Sequence, residues 1–322
     1  MVNTINILGF PHAYELSSPP SSSPVLVFLH GWLLSRAYWQ PVIQRLSADY
    51  SCLSYDMRGF GESQISRVKE AAPEAIAPQP SLARRSRVSA TEVAATEVAA
   101  ETPVAVISTP SSYTLAAYAQ DLAVLLKELK IAKAWLVGHS LGGSIALWTA
   151  DQLPETIAGV ICVNVGGGIY IKEEFEKFRV AGQQIINLRR QWLAYIPLLD
   201  VILSRMNVAQ PVARRWGRQR LLDLLNAQSE AAIGTLLDST TETEVHYLPQ
   251  IVSRLHQPTY FIAGANDKIM EPQYVSHLAS FHPSFACCGN NVVEIPNCGH
   301  LAMVEQSEAV VNEIRTILAK SS

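Results

Sequence analysis

Short apolar runs bounded by turn residues alternate along this chain with stretches of helical periodicity. The runs are at 25–30, 51–56, 134–139, 159–165, 259–264 and 291–296, and those at 25–30, 134–139 and 159–165 are apolar almost throughout rather than at every second position. Strands of that kind are buried on both faces, so the pattern predicts an α/β protein whose mostly parallel sheet is flanked by helices. Two further runs at 5–8 and 12–16 predict a short leading hairpin on one edge. Helices are expected at 38–46, 114–129, 141–152 and 307–318. In the second of these Leu115, Tyr118, Leu122, Leu125, Leu126 and Leu129 recur at spacings of three and four, which gives one buried stripe.

Two segments break the alternation. Residues 64–112 are rich in Ala, Ser, Pro, Glu and Val, with a near-repeat of 90–94 in 95–99 and few aromatics. Such a composition buries little area, so a low-complexity, mobile surface insertion is expected, with Arg84-Arg85-Ser86-Arg87 as a solvated basic run. Residues 166–257 are helical in pattern and carry Phe175, Phe178, Trp192, Tyr195, Ile196, Leu198, Leu199 and Trp216. They lie between two strands and are too long for a plain crossover, so they are read as a helical cap. The core is then 1–165 together with 258–322.

Composition narrows the partners. The chain has 322 residues, 48% of them hydrophobic, and a formal net charge of -3, which is too small to argue for nucleic acid or an anionic surface. A small-molecule substrate is the expected partner, and the oligomeric state is left open. The first residues lack a basic and apolar leader, and no window approaches the roughly eighteen apolar residues of a spanning helix. A cytoplasmic protein without stable membrane insertion is expected. The five cysteines show no metal spacing and no Cys-x-x-Cys, and there is no dinucleotide motif, so neither metal nor other cofactor is expected. Cys52 and Cys162 sit in apolar runs as inert core residues, and the adjacent Cys287 and Cys288 point to a reducing compartment.

The candidate chemistry starts at Gly138-His139-Ser140-Leu141-Gly142-Gly143, which follows one apolar run and opens a helical one. Gly-x-Ser-x-Gly at a strand-to-helix junction is the pattern of a nucleophile elbow, a turn so tight that the flanking glycines must lack bulk. A serine hydroxyl needs a base, and the base needs an acid behind it. Asp267 follows one predicted strand and His300 another, in the order Ser, Asp, His and on the same sheet edge as Ser140. Asp238 is a rival acid, but it lies in the cap sequence. The Leu141 amide and the Trp32 amide of His30-Gly31-Trp32 are the expected oxyanion donors. His30 is read as shaping its own loop, Asp56 and Arg58 as tying the turn after their strand, and His139 as packed away from the hydroxyl. The Trp32 side chain fits core packing and pocket wall equally.

With His30-Gly31-Trp32, Asp56-Met57-Arg58-Gly59-Phe60-Gly61-Glu62-Ser63, the elbow, Gly264-Ala265-Asn266-Asp267 and Gly299-His300 in this order, the chain resembles the α/β-hydrolase fold superfamily, in its esterase, haloperoxidase and C–C bond hydrolase group. That resemblance implies a serine hydrolase acting on carboxylic esters through an acyl-enzyme. It is also similar to 2-succinyl-6-hydroxy-2,4-cyclohexadiene-1-carboxylate synthase, a quinone-pathway lyase that uses such a triad as base, and to chlorophyll-related esterases. For the lyase, Arg179, Arg189, Arg190, Arg205, Arg214, Arg215, Arg218 and Arg220 are available to pair carboxylates, or else pair with Glu173, Glu174 and Glu176. Ser144 stands where that family commonly has an arginine. Epoxide hydrolases and dehalogenases of this fold carry an aspartate at the elbow, and the polar cap does not suggest a lipase with an exposed greasy lid. A ligand-binding member that has lost catalysis is the remaining alternative.

Overall fold

The computed structural model describes residues 1–17, 24–64, 113–167, 172–287 and 291–321. The insertion from 65 to 112, with its arginine run, and Cys288 lie outside the described residues.

Eight strands form one sheet: β1 (Asn3–Ile7), β2 (Phe10–Leu16), β3 (Val25–Leu29), β4 (Cys52–Tyr55), β5 (Ala134–His139), β6 (Ile157–Val163), β7 (Thr259–Gly264) and β8 (Val292–Ile295). Their order is β1-β2-β4-β3-β5-β6-β7-β8. The hairpin β1-β2 is antiparallel, β2 joins β4 antiparallel, and every later pairing is parallel. Strand order reverses at β3: β4 lies to one side of it and β5 to the other. The loops leaving β3 and β5 therefore diverge and open a crevice at the carboxyl ends of the strands, where open α/β sheets bind ligands.

Near-continuous apolar strands send alternate residues to opposite faces. Val27, Leu29, Leu136 and Cys162 face α2 (Leu115–Glu128) and α3 (Leu141–Gln152), while Leu26, Phe28, Val137 and Ile161 face the other side with α12 (Ser307–Lys320). The helix α1 (Gln40–Leu46) contributes Val42, Ile43 and Leu46 to that second cluster. Helix α2 begins as its sequence proposes: the Thr114 hydroxyl accepts from the Ala117 amide, and Leu115, Tyr118, Leu122, Leu125 and Leu126 are buried.

Between β6 and β7 the chain forms α4 (Lys172–Leu188), a 3-10 turn (Gln191–Tyr195), α5 (Leu199–Leu203), α6 (Arg214–Asn226), α7 (Ser229–Ser239) and α8 (Glu242–Arg254). Helix α8 returns to the sheet. Its Leu248, Ile251 and Val252 share a cluster with Ile145 and Leu147 of α3, and Arg254 pairs with Asp151 at 2.6 Å. The expectation of a polar cap needs correcting, because Leu188, Trp192, Tyr195, Leu198 and Ile202 are exposed large apolar residues. Three short helices missed by periodicity follow: α9 (Pro272–Ala279), α10 (Pro283–Cys287) and α11 (Ala302–Glu305). Among the described residues no helix is long and apolar enough to cross a membrane.

Candidate active site

Parallel register brings the ends of β3, β5, β6 and β7 level, so the residues just past them share one edge. Leu29 pairs with Gly138, His139 with Val163, and Val163 with Ile262. On that edge stand His30, Ser140, Asn164 and Asp267, with His300 arriving after β8.

Ser140 has φ 51 and ψ -122, a positive φ that a residue with a Cβ adopts only under constraint. The constraint is close packing on both sides of the turn. A Cβ on Gly138 would overlap the Gly142 carbonyl, and one on Gly142 would overlap the His30 carbonyl. The second approach presses the elbow against the loop after β3 and brings the Leu141 amide beside the Trp32 loop. Among the described residues neither the Trp32 nor the Leu141 N–H donates to a backbone acceptor.

Asp267 is buried, and its carboxylate is fully engaged. Oδ1 accepts the amides of Ile269 at 2.8 Å and Met270 at 3.0 Å, while Oδ2 accepts His300 Nδ1 at 2.7 Å and Asn164 Nδ2 at 2.8 Å. Burial pushes this carboxyl up, but the adjoining His300 ring and the two amides outweigh it and hold Asp267 below the usual carboxylate range. With Nδ1–H given to Asp267, Nε2 is the nitrogen that bears the lone pair in the neutral ring. Asp238 belongs to α7 and makes no such pair.

The His300 loop is fixed from three directions. Its amide donates to the Asn207 carbonyl at 2.8 Å, and the Gly299 amide donates to Glu305 Oε2 at 3.0 Å. The other Glu305 oxygen accepts the Ala209 and Gln210 amides, which joins this loop to the cap. From below, His139 Nε2 lies 2.7 Å from the His300 carbonyl, and the two rings are 4.8 Å apart. Burial, and next the His300 charge, push His139 down to about 3. It is therefore neutral at pH 7, with Nε2–H donating and Nδ1 left as an acceptor without a partner.

His30 donates Nδ1–H to the Gly31 carbonyl at 2.8 Å and accepts the Met57 amide on Nε2 at 3.0 Å, so it shapes its loop as the sequence suggests. Asp56 likewise ties the turn, accepting the Glu62 amide at 2.9 Å, and also accepts the Arg36 amide and guanidinium, while Arg58 anchors the turn to α2 by forking onto Asp121. Sequence reasoning missed Asn164, Glu305 and Glu244. For Asn164 the usable signal was a polar residue directly after a buried strand, on the edge already holding Ser140.

A pocket opens beside Ser140. Its apolar wall includes Trp32, Leu115, Val165, Phe178, Leu236 and Met270, and its polar part is Ser144, Ser239, Thr240 and Glu244. The Trp32 ring does both tasks left open above: it lines the pocket and donates Nε1–H to the Ala232 carbonyl of α7 at 2.9 Å. Glu244 accepts the Trp148 indole N–H, and burial raises its carboxyl. Among the described residues no arginine lines this pocket. Three of the cap arginines are engaged elsewhere: Arg214 with Asp200, Arg189 with the Leu224 carbonyl and Ser229, Arg220 with the Met206 carbonyl. Arg179 approaches Glu176 at 4.0 Å, while the Glu173 and Glu174 side chains lie outside the described residues.

Comparison with known proteins agrees with the topology. The chain is 27% identical over 306 residues to a protein of Enterobacter cloacae named as the carbamate hydrolase RutD, covering 91% of each. It is 27% identical over 300 residues to a 2-succinyl-6-hydroxy-2,4-cyclohexadiene-1-carboxylate synthase from an Enterobacter species, covering 92% of each. A solved thermophilic esterase from Thermogutta terrifontis superposes with a TM-score of 0.68 at 21% identity, over 100% of this chain and 99% of that one. The model of the alpha/beta hydrolase fold matches residues 24–307, and the chain belongs to that family.

Proposed function

We propose that this protein is a serine hydrolase of carboxylic esters with an apolar acyl or alkyl group, working through an acyl-enzyme. The observation that carries the reading is the His300 Nδ1 to Asp267 Oδ2 hydrogen bond of 2.7 Å, on the sheet edge where Ser140 occupies its constrained turn. Asp267 fixes the tautomer of His300 and stabilises its cation. Ser140 Oγ attacks the ester carbonyl as His300 Nε2 takes the hydroxyl proton. The Trp32 and Leu141 amides hold the oxyanion that forms, aided by the N-terminus of α3. Collapse expels the alcohol, which receives the proton from His300. Water then attacks the acyl group by the same route and frees Ser140.

The pocket favours an ester over the polycarboxylate precursor of the quinone-pathway lyase. A carboxylate placed there would meet Glu244 and an apolar wall, with no arginine among the described lining residues to pair it. Steady-state hydrolysis of p-nitrophenyl butyrate by wild type and Ser140→Ala tests the reading, with pyruvate release from the lyase substrate assayed in parallel. The expected outcome is ester turnover that falls by about four orders of magnitude in the variant, with no pyruvate formed. Equal ester turnover in both proteins contradicts it, and pyruvate release by wild type transfers the site to the lyase chemistry.

A further inference from the structure

The outer face of the cap has a chemistry that the pocket does not use. Helix α4 has an apolar sector wider than the surface that covers it among the described residues. Phe178, Gly182 and Ile186, spaced by four, face inward: Phe178 lines the pocket, Gly182 lies against Leu236 and Trp32, and Ile186 is buried. The neighbouring line of Ala181, Ile185 and Leu188 is exposed, with Leu188 at 72%. The chain then continues through Trp192 at 60%, Tyr195 at 85%, Leu198 at 61% and Ile202 at 58%. Large apolar residues exposed singly are ordinary, but a run of them within one stretch of the chain marks an interaction site.

Cations are interleaved with this run. Arg190 lies between Leu188 and Trp192, Arg205 lies between Ile202 and Met206, and Arg214 is tied to Asp200 of α5. From Glu176 to Asp223 the sequence holds nine Lys and Arg against three Asp and Glu, in a chain whose net charge is -3. Lys177, Arg190, Arg205, Arg214, Arg215 and Arg218 are all exposed.

We propose that this face of the cap docks on an anionic lipid bilayer, with Trp192, Tyr195 and Leu188 seated at the headgroup boundary and the arginines on lipid phosphates. Aromatic rings with a polar tip and long cationic side chains with apolar stems are the residues that suit that boundary. A second copy of the chain suits the face poorly. A two-fold dimer would set the same basic segment against itself, like charge on like, whereas an anionic lipid surface neutralises it. Docking of this kind is peripheral, needs no spanning helix and does not depend on Ser140.

Co-sedimentation of the purified full-length protein with large unilamellar vesicles tests it. Vesicles of phosphatidylcholine alone are compared with vesicles in which phosphatidylglycerol replaces a minority of that lipid. Wild type and Ser140→Ala are expected to partition about tenfold more strongly onto the anionic vesicles, and raised salt is expected to release both. Trp192→Ala with Tyr195→Ala, and separately Arg190→Glu with Arg205→Glu, are expected to lose that partitioning about tenfold while p-nitrophenyl butyrate turnover and melting temperature stay at wild-type values. Equal partitioning of wild type onto both vesicle types overturns the proposal, as does undiminished binding by the variants. A wild-type dimer in solution that either double variant dissociates also overturns it, because the face would then be covered by a second copy. The salt and lipid dependence of wild type decides the matter even if a variant fails to fold.

Discussion

Asn164 Nδ2 stands 2.8 Å from Asp267 Oδ2, the same oxygen that receives His300 Nδ1 at 2.7 Å. One carboxylate oxygen is thereby held between two donors, from the end of β6 and from the loop after β8. Asn164 also donates to the Gly299 carbonyl at 3.3 Å, so it links Asp267 to the loop that carries His300. Its φ of 54 suits asparagine or glycine. Asn164→Gly keeps the backbone and removes the donor. It is expected to lower kcat by about tenfold to a hundredfold with KM little changed, since a hydrogen bond to a charged group is worth about 1.5 to 3 kcal/mol. Michaelis kinetics on one soluble ester check this.

Gly31 is the point where the loop proposed to supply the Trp32 oxyanion donor meets the support of His300. A Cβ there would lie 2.7 Å from His139 Nδ1, a buried atom on a ring that already holds the His300 carbonyl. Gly31→Ala must move either the loop bearing the Trp32 amide or the ring beneath His300. A fall in kcat of at least about tenfold is expected, with the fold retained by circular dichroism, because misplacing an oxyanion donor by a fraction of an ångström forfeits much of its 3 to 4 kcal/mol.

Glu244 is expected to set the charge preference of the pocket. Its carboxyl is raised by burial first, and next by nearby Asp238, against the Trp148 hydrogen bond. Glu244→Gln keeps an acceptor for Trp148 and removes the charge. For an ester of a dicarboxylic acid kcat/KM is expected to rise by about tenfold, while a neutral ester of equal length changes little. Equal responses of the two substrates would show that Glu244 serves only to pin α8 to α3.

Asp223 is expected to give the fold a measurable pH dependence. It is buried in α6, accepts from Ser35 and Gln219, and burial pushes its carboxyl up to about 7. The folded state then binds more protons than the unfolded chain, whose aspartates titrate near about 4. Stability therefore falls as pH rises from about 4 to about 7, where the buried group must ionise. Asp223→Asn is expected to flatten that part of the profile, and urea midpoints at pH 5 and pH 8 measure the difference.

Much of the core was legible because its signals are local. Buried parallel strands betray themselves as apolar runs, and the Gly138 to Gly143 turn cannot be built without its glycines. Asp267 and His300, which the structure brings within 2.7 Å, could be placed on one sheet edge because both come shortly after such runs. Asn164 also follows such a run, but its partner is 103 residues distant and nothing in Val163-Asn164-Val165 specifies which side chain it meets. The cap misled for a different reason. Its many charged residues suggest a polar surface, but α4 carries apolar residues on two adjacent lines, and while Phe178, Gly182 and Ile186 pack inward, Ala181, Ile185 and Leu188 stay exposed. The arginines of the same segment left two readings open, a carboxylate clamp or pairing with nearby glutamates, and Arg179, Arg189, Arg214 and Arg220 are spent on Glu176, backbone carbonyls, Ser229 and Asp200.

The most direct test is covalent labelling of the intact protein with a fluorophosphonate, followed by intact mass and peptide mapping. An activated serine reacts because its base removes the hydroxyl proton, so the expected result is one adduct per chain, located on Ser140, that disappears in Ser140→Ala and falls by at least about a hundredfold in rate in His300→Ala. An unlabelled wild type, or an adduct that persists in Ser140→Ala, contradicts the assignment of Ser140 as the nucleophile.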